Sequence, residues 1–456
     1  MQRRELSTEK YDVAIVGAGL SGLIAARLIS RSGKRVVILE AQDRVGGRTW
    51  SKSLDNGLFI DIGGQWIGNG HTSMYKLAEE AGIKTFPTYN NGINIWQSDG
   101  ELKKHCDQIP PIGLFALLSV NTNMKRFDEL AERIDPSQPW MVENANEMDN
   151  RSLGSWIDQK VNNNRARKLI KSIAEGELCT STYEVSLLQA LSNSKAIGSL
   201  KQANSVEDGA LRDRLSGGAQ GISEYLYNQV KSSVILNCPV SFIEDTDDGV
   251  KLGNSSLSLL AQKIIITAPL PTVKNIQFSP ELPTEKQMLI NNMTMGKVVK
   301  CHAVYDTPFW REKGLSGTSF SFDEVVDLSV DNSCPGSSNG ILASLIHAER
   351  AELLLRLKPE ERKRVVLEAY TKRFGEQASN PVYYHDYSFT DNPWIGGAYS
   401  GFFKNGIFSA YGSYLRKPNG NIHWAGTETS IYFKGFMEGA VLSGERVAKE
   451  ILSLIL

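Results

Sequence analysis

Three glycines in "YDVAIVGAGLSGL", Gly17, Gly19 and Gly22, are followed by a carboxylate at Glu40 and a guanidinium at Arg48. These types at this spacing suit a pyrophosphate and a ribose. The glycines permit a tight turn, close approach of backbone to phosphate and close helix packing, while a helix N-terminus adds oriented N–H donors. An acidic residue roughly twenty positions on accepts from ribose hydroxyls and disfavours a 2′-phosphate. In "EAQDRVGGRTWS" Arg48 follows a second glycine pair and is placed to meet the pyrophosphate from the other side. Near the other end of the chain, "WIGGAYS" sets Gly396 and Gly397 between Trp394 and Tyr399. Without side chains there, a flat ring system can lie against the backbone.

Residues 11–40 read as strand, helix, strand: an apolar run, the glycine cluster, an Ala/Leu-rich helical segment, a "SGK" break and a second apolar run ending in Glu40. From about 145 to 205 the pattern turns helical, and "RKLIKSIAEGEL" and "EVSLLQALSNSKAIGSL" carry apolar residues three and four apart. Strand patterns return at "SVILNCPVSFIED", "KIIITAPL" and "GKVVKCHAVY". The segment Arg350 to Arg373 reads as a charged helix with one solvated face. The expected class is mixed α/β.

The length of 456 residues implies two domains able to bury a large ligand. Fifty basic against 51 acidic side chains give a net charge of −1, which supplies no field for nucleic acid or anionic lipid. Cys106, Cys179, Cys238, Cys301 and Cys334 are scattered with no C-x-x-C pair, so neither a disulfide framework nor a metal site is expected and a reducing cytoplasm fits. "MQRRELSTEK" lacks the apolar stretch of a leader, and "IPPIGLFALLSV" is too short and Pro-rich to span a bilayer.

The chain resembles the flavin-containing amine oxidases, most closely the monoamine oxidase group, from Tyr11 to about Leu452. The motifs carrying the resemblance are "GAGLSGL", "LEAQDRVGGRT", "DIGGQWIG", "LSGGAQGISEYL", "CPVSFI", "MGKVVKCHAVYDTPFW", "WIGGAYS" and "HWAGTETSIYFKGFMEGAVLSGERVAKEIL". The resemblance implies a Rossmann-like FAD-binding domain assembled from 1–90, 210–290 and 390–456. A substrate domain of mixed sheet and helices, 91–209 and 291–389, is inserted in it. FAD would be lined by Gly17, Gly19, Gly22, Glu40, Arg48, Gly64, Gln65, Trp66, Val240, Thr427 and Met437, with Phe389, Trp394 and Ala398 near the flavin. Phe389 stands where many relatives have tryptophan. Ala398 occupies the place of the cysteine that tethers FAD in the monoamine oxidases, and with no nucleophile the cofactor is expected to be non-covalent.

By the same resemblance Tyr399 and Phe436 form an aromatic pair in front of the flavin, a slot that orients a small amine. Lys300 would hold water near the flavin and assist reaction with oxygen. The helix starting at "GFMEGA" would aim its positive end at the flavin. "ELCTSTYEVSLL" nominates Leu178 and Cys179 as apolar cavity walls. Amino-acid-oxidising relatives carry an arginine just after the glycine pair Gly63 and Gly64, but here Gln65 and Trp66 follow, so a substrate carboxylate would lack its clamp.

The expected reaction is oxidation of a primary or secondary amine to an imine and then an aldehyde, with O2 reduced to hydrogen peroxide. A monoamine is the first expectation and a di- or polyamine the alternative, for which Glu175, Glu177, Asp323, Glu324 and Asp327 supply acids; an L-amino-acid oxidase or a flavin-dependent desaturase stands further back. The six histidines, His347 among them, read as structural. The chain ends at "ILSLIL" without the apolar tail that anchors some relatives, so a soluble enzyme is expected, with a homodimer left open.

Overall fold

The computed structural model describes residues 10–98, 100–106 and 111–455. The stretch 1–9 read for a leader, and the first residues of "IPPIGLFALLSV", lie outside them.

Two sheets organise the molecule. The first is eight-stranded, and its central strand Lys10–Val16 pairs in parallel with Val36–Leu39 on one side and Ser258–Ile266 on the other. Val13, Ala14 and Ile15 are wholly buried, as befits a parallel strand covered on both faces. Between the first two strands runs the helix Leu20–Arg31, which packs on the C-terminal helix Met437–Leu452. Small residues allow the approach: Ser21 Oγ lies 3.0 Å from Ser443 Oγ, and a Cβ on Gly444 would come within 2.5 Å of the Ser21 carbonyl.

The second sheet has seven strands, in the order Tyr383–Tyr387, Val298–Tyr305, Gly340–His347, Leu328–Asp331, Leu315–Ser321, Ile93–Ser98, Glu101–His105. Its register sets Val298 opposite His347 and Lys300 opposite Leu345. Helices Asn164–Leu178 and Leu187–Ile197 belong to the helical region expected from periodicity.

The segment Arg350 to Arg373 is charged and helical, as its sequence reads, but it is divided. It forms two helices, Ala348–Leu355 and Pro359–Phe374, because Pro359 has no N–H to continue the first and is suited to open the second. Nor is its polar face all solvated: Arg373 is buried, donating to the Val326 carbonyl (2.5 Å) and to Glu324 (3.2 Å).

Candidate active site

A cavity of about 320 Å³ runs from the Gly17 turn to the second sheet. At its nucleotide end Gly17 has φ +103°, a conformation open to glycine, and Gly19 caps the helix Leu20–Arg31 without a side-chain bond. No acidic residue occupies that first turn, and Leu20 and Ser21 border the cavity where the helix leaves its early N–H groups unpaired. A Cβ on Gly19 would meet no protein atom within 4 Å. These residues fit a pyrophosphate. Glu40, also on the cavity wall, accepts from Ala18 N–H (2.6 Å) and Gln42 N–H (2.9 Å); burial nevertheless raises its carboxyl above the ordinary value.

Two residues of the nucleotide end have protein partners of their own: Gly22 serves the close helix packing expected of the fingerprint, and Arg48 an ion pair. Gly22 does not border the cavity; a Cβ there would lie 2.1 Å from the Gly17 carbonyl, so its part is to let the helix close on the turn. Arg48 borders the cavity, but its guanidinium is committed to Glu428 by two bonds, Nη1 to Oε1 (2.5 Å) and Nη2 to Oε2 (3.0 Å), and also donates to the Tyr399 carbonyl (2.8 Å). Burial alone would raise the Glu428 carboxyl, and Arg48 holds it below its ordinary value. The sequence reading passed over Glu428, although it lies inside the quoted "HWAGTETS".

Gly64, Gln65, Trp66 and Val240 border the middle of the cavity, with Thr427, Met437, Phe389, Trp394 and Ala398. Thr427 Oγ1 donates to the Phe436 carbonyl (3.0 Å) and accepts from Gly435 N–H (2.8 Å), fixing the start of the last helix. Lys300 faces the same space as Val298 and is buried. It has protein partners rather than needing water to supply them: Nζ donates to the Gly63 carbonyl (3.0 Å) and to Gln65 Oε1, while Gln65 Nε2 donates to Asn332 (2.9 Å). Burial pushes the lysine down to about 7, with nearby Asp61 opposing and Arg214 adding to the shift.

Tyr399 and Phe436 both border the cavity and make no ring contact with each other. Phe436 is braced by Phe433 (centroids 6.5 Å) and His71 (5.3 Å). Behind Tyr399 stands His347, whose Nε2 lies 3.4 Å from the phenol oxygen and whose Nδ1 is 2.8 Å from Asp327 Oδ2. His347 is therefore a wall of the site, which its reading as a structural residue missed. The strand register beside Val298 carries that information, and one sequence does not disclose register.

Leu178 and Cys179 are corrected. Both are buried, but the cavity is bordered on this segment by Gly176 and Glu177. Cys179 takes a left-handed conformation (φ 53°) at the end of the helix, which turns it behind the wall against Tyr399. Burial pushes its thiol well above the ordinary value, so it is no nucleophile.

The family model for flavin containing amine oxidoreductase matches residues 20–452. The chain belongs to this family. It is 34% identical over 468 residues to putrescine oxidase of Kocuria rosea, covering 99% of this chain and 97% of the relative. It is 32% identical to amine oxidase [flavin-containing] A of Sus scrofa, covering all of this chain and 88% of the relative. A structure of putrescine oxidase bound to putrescine superposes with a TM-score of 0.93 at 33% identity, over 98% of this chain and 99% of that one. The enzyme is a flavin-dependent amine oxidase with FAD as its cofactor. Ala398 offers no atom to tether it. No helix among the described residues is long and apolar enough to cross a membrane.

Proposed function

We propose that the enzyme oxidises a small primary or secondary amine between Tyr399 and Phe436, in the cytoplasm, and that O2 takes the electrons to become hydrogen peroxide. The observation supporting this reading is that Tyr399 and Phe436, each braced by a neighbouring ring, border the same cavity. FAD, when bound, supplies the two-electron acceptor and hands the electrons to oxygen.

The residues do the rest. The amine must enter uncharged, since an ammonium has no lone pair to help the α-carbon release hydride, and two aromatic walls favour the neutral form by excluding water. The nitrogen proton and the hydride leave together an imine, which water hydrolyses to aldehyde and, from a primary amine, ammonia. The position after the glycine pair is Gln65, held by Lys300 and Asn332, and it offers an amide rather than a guanidinium to a substrate carboxylate. Lys300 provides a fixed positive group for the oxygen half of the cycle. The five cysteines, scattered with no C-x-x-C pair, suit a reducing compartment. An amine with one nitrogen satisfies the slot; a diamine satisfies Glu177 as well.

The test is an amine panel read by peroxide formation and by anaerobic bleaching of the flavin. Bleaching followed by peroxide on admission of air is the expected result. A yellow protein that no amine bleaches would overturn the reading.

A further inference from the structure

Five acids lie in sequence next to the cavity residues Gly176 and Leu328: Glu175, Glu177, Asp323, Glu324 and Asp327. Four have partners. Glu175 accepts from Thr182 N–H and Oγ1 (both 3.4 Å), and Asp323 accepts from Gly100 N–H (3.1 Å). Glu324 pairs with Lys372 (2.6 Å) and Arg373 (3.2 Å), and Asp327 with His347 (2.8 Å) and Arg350 (3.5 Å).

Glu177 alone of the five has neither hydrogen bond nor ion pair among the described residues, and it alone borders the cavity. Its position is unfavourable in two further ways. It is half-buried, and burial pushes its carboxyl up to about 8; it also sits in the last turn of Asn164–Leu178, where the negative end of the helix repels a carboxylate. Lys434, another residue of the cavity wall, does not compensate it: the two form no ion pair, and the ammonium lies 5.5 Å from the Phe408 ring. Glu177 and Tyr399 line the same cavity, so the carboxyl faces the space in which the amine is to be held. A cation arriving with the substrate would give the carboxylate the partner that the protein does not supply.

We propose that Glu177 is the specificity-determining residue of this cavity, anchoring the ammonium at the far end of a diamine whose other, uncharged nitrogen is held between Tyr399 and Phe436. The inference rests on the amine-oxidising reading of that slot. It replaces the expected monoamine with a singly protonated α,ω-diamine as the preferred substrate. Asn193 and Asn204, on the same cavity, are amides suited to complete the ammonium's hydrogen bonds.

The experiment compares kcat/KM of the holoenzyme for α,ω-diamines and for n-alkylamines of matched length. Wild type is expected to prefer the diamine by about tenfold or more, the yield of one charge-assisted bond. Glu177→Gln, equal in shape but uncharged, should shrink the diamine-to-monoamine ratio by about tenfold to a hundredfold, chiefly through KM. Glu177→Asp should keep a preference for diamines while moving the best chain length upward, since the carboxyl is withdrawn by one methylene. Glu175→Gln, on the same helix but bonded to Thr182, should leave the ratio unchanged. Flavin content and thermal midpoint show that each variant is folded. A wild type indifferent to the second nitrogen, or a ratio unmoved by Glu177→Gln, overturns the proposal and leaves amine oxidation standing. Flavin that no amine of either class bleaches overturns both.

Discussion

Arg48 and Glu428, separated by 380 positions in the chain, form a two-pronged ion pair against the cavity, and the same guanidinium holds the Tyr399 carbonyl. The loop after the second strand is thereby tied to one wall of the amine slot. A side chain expected to meet a phosphate is also a strut between the nucleotide end and the substrate end.

Glu428→Gln tests the strut. Removing one partner of a buried pair leaves the other charge uncompensated, which costs on the order of 3 kcal/mol. Thermal unfolding of the variant should show that loss. Tyr399 should be less firmly held, raising KM for amines. A variant with unchanged thermal midpoint and KM would show that Arg48 needs no partner there.

Gly19 and Gly22 separate two uses of glycine. A Cβ at Gly22 meets the Gly17 carbonyl at 2.1 Å, so Gly22→Ala must displace the helix from the turn and should lower stability even without FAD. A Cβ at Gly19 meets no protein atom within 4 Å and projects where cofactor is expected. Gly19→Ala should therefore fold with near-normal stability of the cofactor-free protein but retain less FAD. Thermal unfolding of stripped protein and flavin-to-protein absorbance distinguish the two outcomes.

The nucleotide end was legible because its requirements are local: a strand, a glycine turn, a helix start and an acid follow one another within thirty-odd residues. The substrate end was not. Leu178 and Cys179 lie on the expected segment, yet the helix Asn164–Leu178 turns Gly176 and Glu177 to the cavity and buries Leu178. His347 reaches the site through strand register, and Glu428 through an ion pair across the whole chain. Which of the five acids meets the cavity was not legible either, because only the folded arrangement sets Glu177 and not Glu175 on its wall.

Ala398 is buried beside Tyr399 and has only a methyl group to offer. Acid precipitation of the holoenzyme should leave all the yellow chromophore in the supernatant. Colour that stayed with the precipitate would require some other side chain to be bonded to the flavin.

Lys300 separates the two halves of the turnover. Its ammonium is fixed by Gly63 and Gln65 and reaches no substrate clamp, so Lys300→Met should leave anaerobic bleaching by amine within a few-fold of wild type while slowing reoxidation by about a hundredfold, the effect of removing one preorganised donor to developing negative charge. The pH dependence has a definite sign. Burial lowers the lysine to about 7, so the charged form prevails below that pH and is lost above it. Reoxidation by O2 in wild type should accordingly fall as pH rises through about 7, and the Lys300→Met rate should be flat over the same window. Stopped-flow measurement of each half-reaction across this range decides the matter: a variant whose bleaching and reoxidation slow equally would assign Lys300 to holding the site together rather than to the oxygen step.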